Sequence, residues 1–226
     1  MIKYKNKIIL ASASPRRQSL LSMLDIPFTV HVANIDETPL PNETPTSFVR
    51  RLSLEKAKAI TQYHDQAIII GADTIVLLDK VILGKPATHA EARNMLRNLR
   101  GREHVVYSTV TVFDSHTKKH YTTLSKSIVT MRLYTDVEIE HYVVSGSPMD
   151  KAGAYAIQDS EFAPVSKLDG CYAGVMGFPL GHLAQGLIQF GIKLTNIEKK
   201  CADYTGKACC LSCSTGKIPV VHGTMS

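Results

Sequence analysis

The run Ala67–Leu78 constrains this chain more than any other feature. It reads Ala-Ile-Ile-Ile-Gly-Ala-Asp-Thr-Ile-Val-Leu-Leu and carries a single charge, Asp73. It is too short for the ~20 apolar residues of a membrane span, and it contains an acid. Its Ile and Val content predicts a strand buried on both faces, so the fold must supply layers on either side. A carboxylate inside such a strand needs a metal or cation partner. Functional sites favour such placements, which makes Asp73 the first candidate for chemistry. Gly71, two residues earlier, lets another backbone or a ligand approach closely.

The flanking pattern supplies those layers. Residues 7–11 read as a short buried strand. Ser14-Pro15 then opens a helix, with Ser14 at the N-cap and Pro15 at the first helical position. Leu20, Leu21 and Leu24 form its inner stripe. Phe28, Val30 and Val32 alternate like a strand. Thr44-Pro45 starts a second helix, whose inward line runs Phe48, Leu52, Ile60. Thr88 with Glu91 and Thr135 with Glu138 have capping-box spacing before two further helices. Residues 104–113 and 121–133 predict a hairpin, 153–157 a short strand, and 180–190 a helix stopped by Gly191. Mixing βα units with a hairpin predicts an α/β fold with a mixed sheet flanked by helices.

With 226 residues, 44% hydrophobic and 20% charged, the chain can bury a core, and wholesale disorder is excluded. The net charge of +6 favours an anionic partner, but no long basic block points to nucleic acid. There is no Trp, and only 7% of residues are aromatic, a poor stacking surface for single strands. The start of the sequence lacks the apolar region of a signal peptide, so the expectation is a cytoplasmic protein without a membrane partner. Periodicity ends near Asn196. The expected domain spans residues 1–195, followed by a Cys-rich segment, 196–226, of unknown role and poor order. Its Cys201, Cys209, Cys210 and Cys213 do not have the spacing of a familiar zinc ribbon or finger.

Several segments combine charge with special local structure. Ser12-Ala13-Ser14-Pro15-Arg16-Arg17 follows a strand and opens a helix. Helix N–H groups and two guanidiniums there make a cradle for polyphosphate, or else Ser-Pro merely caps the helix and both arginines are solvated. Lys56 lies on the apolar line between Leu52 and Ile60, where a lysine must snorkel or meet an anion. Gly84-Lys85-Pro86 holds a lysine in a rigid turn. Asp150-Lys151-Ala152-Gly153-Ala154-Tyr155 leads to Gln158 through small residues that permit close approach. The phosphate-binding G-x-x-x-x-G-K-[ST], the G-x-G-x-x-G and the H-E-x-x-H patterns are absent. Ile75 after Asp73-Thr74 argues against an aspartic protease.

Together these segments resemble the Maf family of nucleotide pyrophosphatases. The resemblance rests on Leu10-Ala11-Ser12 with Ser14-Pro15-Arg16-Arg17, on Asp36-Glu37, Lys56-Ala57, Gly71-Ala72-Asp73-Thr74, Gly84-Lys85-Pro86, Asp150 to Tyr155 with Gln158, and Gly177-Phe178-Pro179-Leu180. Order and spacing agree over residues 5–192. The resemblance implies two lobes around a nucleotide cleft, similar to inosine-triphosphate pyrophosphatases. It implies hydrolysis of a nucleoside triphosphate between the α and β phosphates, with divalent Mg2+ or Mn2+ as cofactor. By position, Asp73 is then the catalytic acid and, with Glu37, a metal-linked residue. Ser14, Arg17, Lys56 and Lys85 match phosphate-contacting positions, and Arg16, Thr74 and Gln158 those linked to base selectivity. Lys151 is a further cleft cation.

Arg16, Thr74 and Gln158 point to the dTTP/UTP branch. The sister branch acts on 7-methyl-GTP and carries an aromatic, a Gln and a Glu at those positions. A non-catalytic regulator of cell division is the reading from another class. A homodimer is compatible with all three. Two positions depart from the pattern: Ser147 stands where a glutamate is expected, and Gly174 replaces an Asn or similar residue.

Overall fold

Alternation decides which layer each residue of the central strand joins. A computed structural model describes residues 7–209 and 220–224. Strand β3 (Ala67–Leu78) is the buried run itself. Ile68, Ile70 and Ala72 face one core with strand β1 (Lys7–Leu10), helix α1 (Pro15–Ser22), the short helix α5 (Tyr172–Val175) and helix α6 (Leu180–Gln189). Ile69 and Ile75 face the opposite layer, under helix α2 (Pro45–Ala59). Farther along, Val76 and Leu78 join another core with α3 (His89–Leu99) and α4 (Asp136–Val144). The two cores on that first face form the two lobes.

The remaining strands are β2 (Phe28–Val30), β4 (Val81–Leu83), β5 (Glu103–Asp114), β6 (Lys119–Met131), β7 (Val165–Asp169) and β8 (Val220–Thr224). The sheet runs β2-β1-β3-β5-β6-β7, with β4 on β3 and β8 on β6. The β1 pairings are parallel, and the others are antiparallel. This is the expected α/β fold with a mixed sheet, and the expected hairpin is β5–β6.

The caps follow their local chemistry. Thr135 and Glu138 close a full capping box at α4. At α3 only half forms: Thr88 accepts from the Glu91 N–H, while the Glu91 carboxylate turns to the Ala87 N–H at 2.8 Å. Ser14 occupies the N-cap of α1, but its hydroxyl caps nothing, and the first turn of that helix stays open.

Two elements differ from expectation. Residues 153–157 do not form a strand. Ala152–Ala154 is a tight turn, because Gly153 (φ 70°) and Ala154 (φ 60°) both adopt left-handed backbone. A Cβ on Gly153 would lie 3.1 Å from Val76, so glycine lets this turn press onto β3. Past residue 195, helix α7 (Ile197–Thr205) buries Ile197 and Cys201 against the α1–α6 core, and Cys209 joins them. Cys210 and Cys213 lie outside the described residues.

Candidate active site

The site arises from an interruption in the sheet. On one edge, β3 pairs with β1 through residues 67–70 and with β4 through residues 76–78. On the other edge, β5 accompanies it from Ile68 to Leu77. Among the described residues, 71–75 therefore have no strand on the first edge, and a cleft of about 440 Å3 opens there. Consecutive side chains point to opposite faces of a strand, so Asp73 and Thr74 reach this region from opposite sides.

On the α2 face the geometry is set by Gly71. A Cβ there would fall 2.0 Å from the Ser53 carbonyl, so the α2 backbone can lie directly on the strand. The Ser53 hydroxyl donates to the Gly71 carbonyl at 3.2 Å. Lys56, nearly one turn further along α2, is carried over Asp73. Its Nζ lies 2.6 Å from Asp73 Oδ1 and 2.8 Å from Glu37 Oε1. The lysine has met two anions rather than snorkelled. Lys56 is 9% exposed and Asp73 6% exposed, so this is a buried ion pair capped by an exposed Glu37. Arg51 pins the Glu37 loop to α2 by donating to the Thr38 carbonyl at 3.0 Å and to both Glu43 oxygens. Burial pushes the Asp73 carboxyl above the usual aspartate range, against the pull of Lys56 and Arg17.

Arg17 fastens the open first turn of α1 to the cleft floor. Its Nη1 donates to the Ala72 carbonyl at 2.9 Å and the Ser12 hydroxyl at 3.2 Å, and its Nε to the Gly177 carbonyl at 3.0 Å. Burial lowers its pKa, opposed by the charge of Asp73. Arg16 instead crosses the mouth to Asp150, with Nη1 at 2.9 Å from Oδ2. Lys151 also binds Asp150, at 2.5 Å, and reaches the Ser147 carbonyl. Burial raises the Asp150 carboxyl, but Lys151 and Arg16 outweigh it and hold it low. Lys85 is exposed at the rim. The neighbouring Gly84 carbonyl accepts from the Gly153 N–H at 3.0 Å, which ties the lysine's turn to the 152–154 turn of the same lobe.

The other end of the cleft is uncharged. Val76, Tyr155, Ala156, Val175 and Met176 wall it. The Tyr155 hydroxyl lies 2.8 Å from His104 Nε2, and burial holds that histidine down to about 4. Gln158 lines the same end, exposed, with no side-chain hydrogen bond among the described residues.

All ten residues singled out from sequence thus meet in this region. Nine line the cleft, and Asp73 stands directly behind Lys56. Sequence reasoning missed three supports: the Arg16–Asp150 bridge, the Tyr155–His104 pair and Ser108 beneath Thr74. Polar Ser108 and His104 within a buried strand were the available signals.

The span of chain that builds the cleft matches known proteins. The family model described as Maf-like protein matches residues 7–190. A dTTP/UTP pyrophosphatase of Pelotomaculum thermopropionicum is 44% identical over 185 residues, covering 82% of this chain and 97% of that protein. A protein of the same name from Bacillus mycoides is 42% identical, covering 84% and 98%. One from Dictyoglomus turgidum is 42% identical, covering 84% and 99%. Since the matched span includes the interrupted strand and every residue of the cleft, this chain belongs to the Maf family.

Proposed function

We propose that this chain hydrolyses dTTP and UTP to the monophosphate and pyrophosphate. The observation that carries this reading is the Lys56–Asp73–Glu37 cluster beside the open first turn of α1. A triphosphate needs its charge neutralised, and cleavage needs a base placed near that charge. Lys56, Arg17, Lys85, the Ser14 hydroxyl and the free N–H groups of α1 offset the phosphates. Asp73 takes the proton of the attacking water. Its Oδ1 is held by Lys56, and Oδ2 has no hydrogen-bond partner among the described residues. Burial makes it a stronger base than an ordinary aspartate.

Asp73 and Glu37 also suit a divalent cation. Two carboxylates converge on one point, now shared by the Lys56 ammonium. Mg2+ and Mn2+ favour such oxygen ligands completed by substrate phosphates. The bound ion would neutralise phosphate charge and acidify a water. The base lies against the apolar wall, where Thr74 and Gln158 face it, with Arg16 at the mouth beside Asp150. Among the described residues no helix is long and apolar enough to cross a membrane, and the reading is of a cytoplasmic enzyme.

The test is pyrophosphate release from UTP, dTTP, CTP, GTP and 7-methyl-GTP, with Mg2+ or Mn2+ and with chelator. The expected result is metal-dependent release from UTP and dTTP with the highest kcat/KM. Preference for 7-methyl-GTP overturns the substrate assignment, and no release from any nucleotide overturns the activity.

A further inference from the structure

We propose that Ser108, outside the cleft, fixes the direction of the Thr74 hydroxyl and thereby makes the site select a base with an N–H donor. Ser108 lies on β5 directly opposite Thr74 and is 1% exposed. Its Oγ is 2.6 Å from the Gly174 carbonyl and 2.9 Å from Thr74 Oγ1. A carbonyl only accepts, and a serine hydroxyl has one hydrogen. That hydrogen is therefore committed to Gly174. The contact with Thr74 can be a hydrogen bond only if Thr74 donates. Otherwise two oxygen lone pairs would face each other at 2.9 Å.

The competing acceptor for the Thr74 hydrogen is the Gly177 carbonyl. It is farther, at 3.3 Å, and already accepts from Arg17. Both alternatives point the hydrogen into the protein, and Ser108 offers the shorter one. Thr74 thus turns lone pairs toward the cleft that it lines. A ligand group there must donate.

This inference rests on the pyrimidine substrate proposed above and adds how the site distinguishes one pyrimidine from another. Thr74 shares its strand face with Val76, which belongs to the uncharged wall, while the cationic Lys56 cluster lies on the other face. A nucleotide with its phosphates at the cations places its base against that wall. Uracil and thymine carry a hydrogen at N3, and cytosine carries a lone pair there. An outward acceptor at Thr74 bonds the former and repels the latter. Gln158 cannot supply this discrimination alone, because an exposed amide without a partner presents either its carbonyl or its NH2.

The experiment compares kcat/KM for UTP and CTP in the wild type, Ser108→Ala, Thr74→Val and the double variant. Ser108→Ala is expected to reduce the UTP:CTP ratio about five-fold, the scale of one neutral hydrogen bond, mainly through a higher KM for UTP. Because Ser108 acts through Thr74, it should have no further effect on the ratio in the Thr74→Val background. If Ser108→Ala does not fold, Ser108→Cys, a weaker hydrogen-bond partner, should show the same fall. An unchanged ratio in a folded variant overturns the inference and leaves the pyrophosphatase reading standing. So does an equal fall in both backgrounds. A wild type that cleaves neither UTP nor dTTP overturns both.

Discussion

Asp73 and Thr74 are neighbours in sequence, yet the two faces of β3 that they occupy obey different physics. On the Asp73 face, ionised groups sit close together out of water: Lys56, Asp73 and, at the edge, Glu37. On the Thr74 face, neutral hydroxyls and carbonyls meet beside an apolar wall, and the Arg17 guanidinium there is spent on the Gly177 and Ala72 carbonyls rather than on a carboxylate. Charges in a poorly solvated site interact over several ångströms and with large energies. Neutral hydrogen bonds contribute about 1 kcal/mol each and act through direction. Removing a group from the first face should therefore cost turnover, and removing one from the second should change which base is accepted.

The sharpest break of this comparison is Asp73→Asn. It keeps the shape but removes the base, and turnover should fall about 10²–10⁴-fold with binding retained. Near wild-type kcat in the purified variant would show that the charged face is not where the proton goes. Lys56→Ala comes next. It removes a phosphate partner and leaves Asp73 buried without its ammonium, so kcat/KM should fall about 10²–10³-fold for every nucleotide alike. Unequal losses on UTP and CTP would mean that the two faces are not separate.

The neutral face makes a prediction about acid. His104 titrates near 4 in the folded protein against 6.5 in an open chain, because burial disfavours its charge. The unfolded state therefore binds a proton that the native state refuses between those values. Stability falls as pH drops from 6.5 to 4, by about 3 kcal/mol for this residue. Denaturant melts across that range should show a shallower loss in His104→Gln, and equal slopes would assign the acid sensitivity elsewhere. The smallest expected effect is that of Gln158→Glu. A carboxylate facing a pyrimidine carbonyl should lower kcat/KM for UTP roughly five-fold, on the scale of a lost neutral hydrogen bond, and leave the metal requirement unchanged.

Much of this was legible in the residues because each piece was local. The β3 run, the β5–β6 hairpin and the Thr-x-x-Glu caps depend on neighbours within one or two turns. Lys56 on an apolar line left snorkelling and an anion partner both open, and nothing local said that Asp73 and Glu37 would share it. That required knowing how closely α2 approaches Gly71. The 153–157 segment misled because small apolar residues look like a strand, while left-handed backbone at Gly153 and Ala154 folds them into a turn. Helix α7 was missed because its buried side is Ile197 and Cys201, one short step of periodicity. Reduced cysteine packs as a small hydrophobe, so Cys201 fills core where spacing alone raised only a metal or an unstructured segment. The Arg16–Asp150 bridge joins residues 134 apart, beyond the reach of any local pattern.

The opening in β3 bears on self-association as well as catalysis. An unpaired strand edge is a template on which foreign β-segments add, the usual route to unwanted assembly. Here the stretch without a neighbouring strand, residues 71–75, is bounded at both ends by paired neighbours, β1 and β4. An added strand would have to start and stop within the space they leave. The Ala72 carbonyl, which such a strand would need, is already taken by Arg17. The molecule can thus keep a hole in the middle of its sheet without becoming sticky, because the hole is too short and too well guarded to admit a strand.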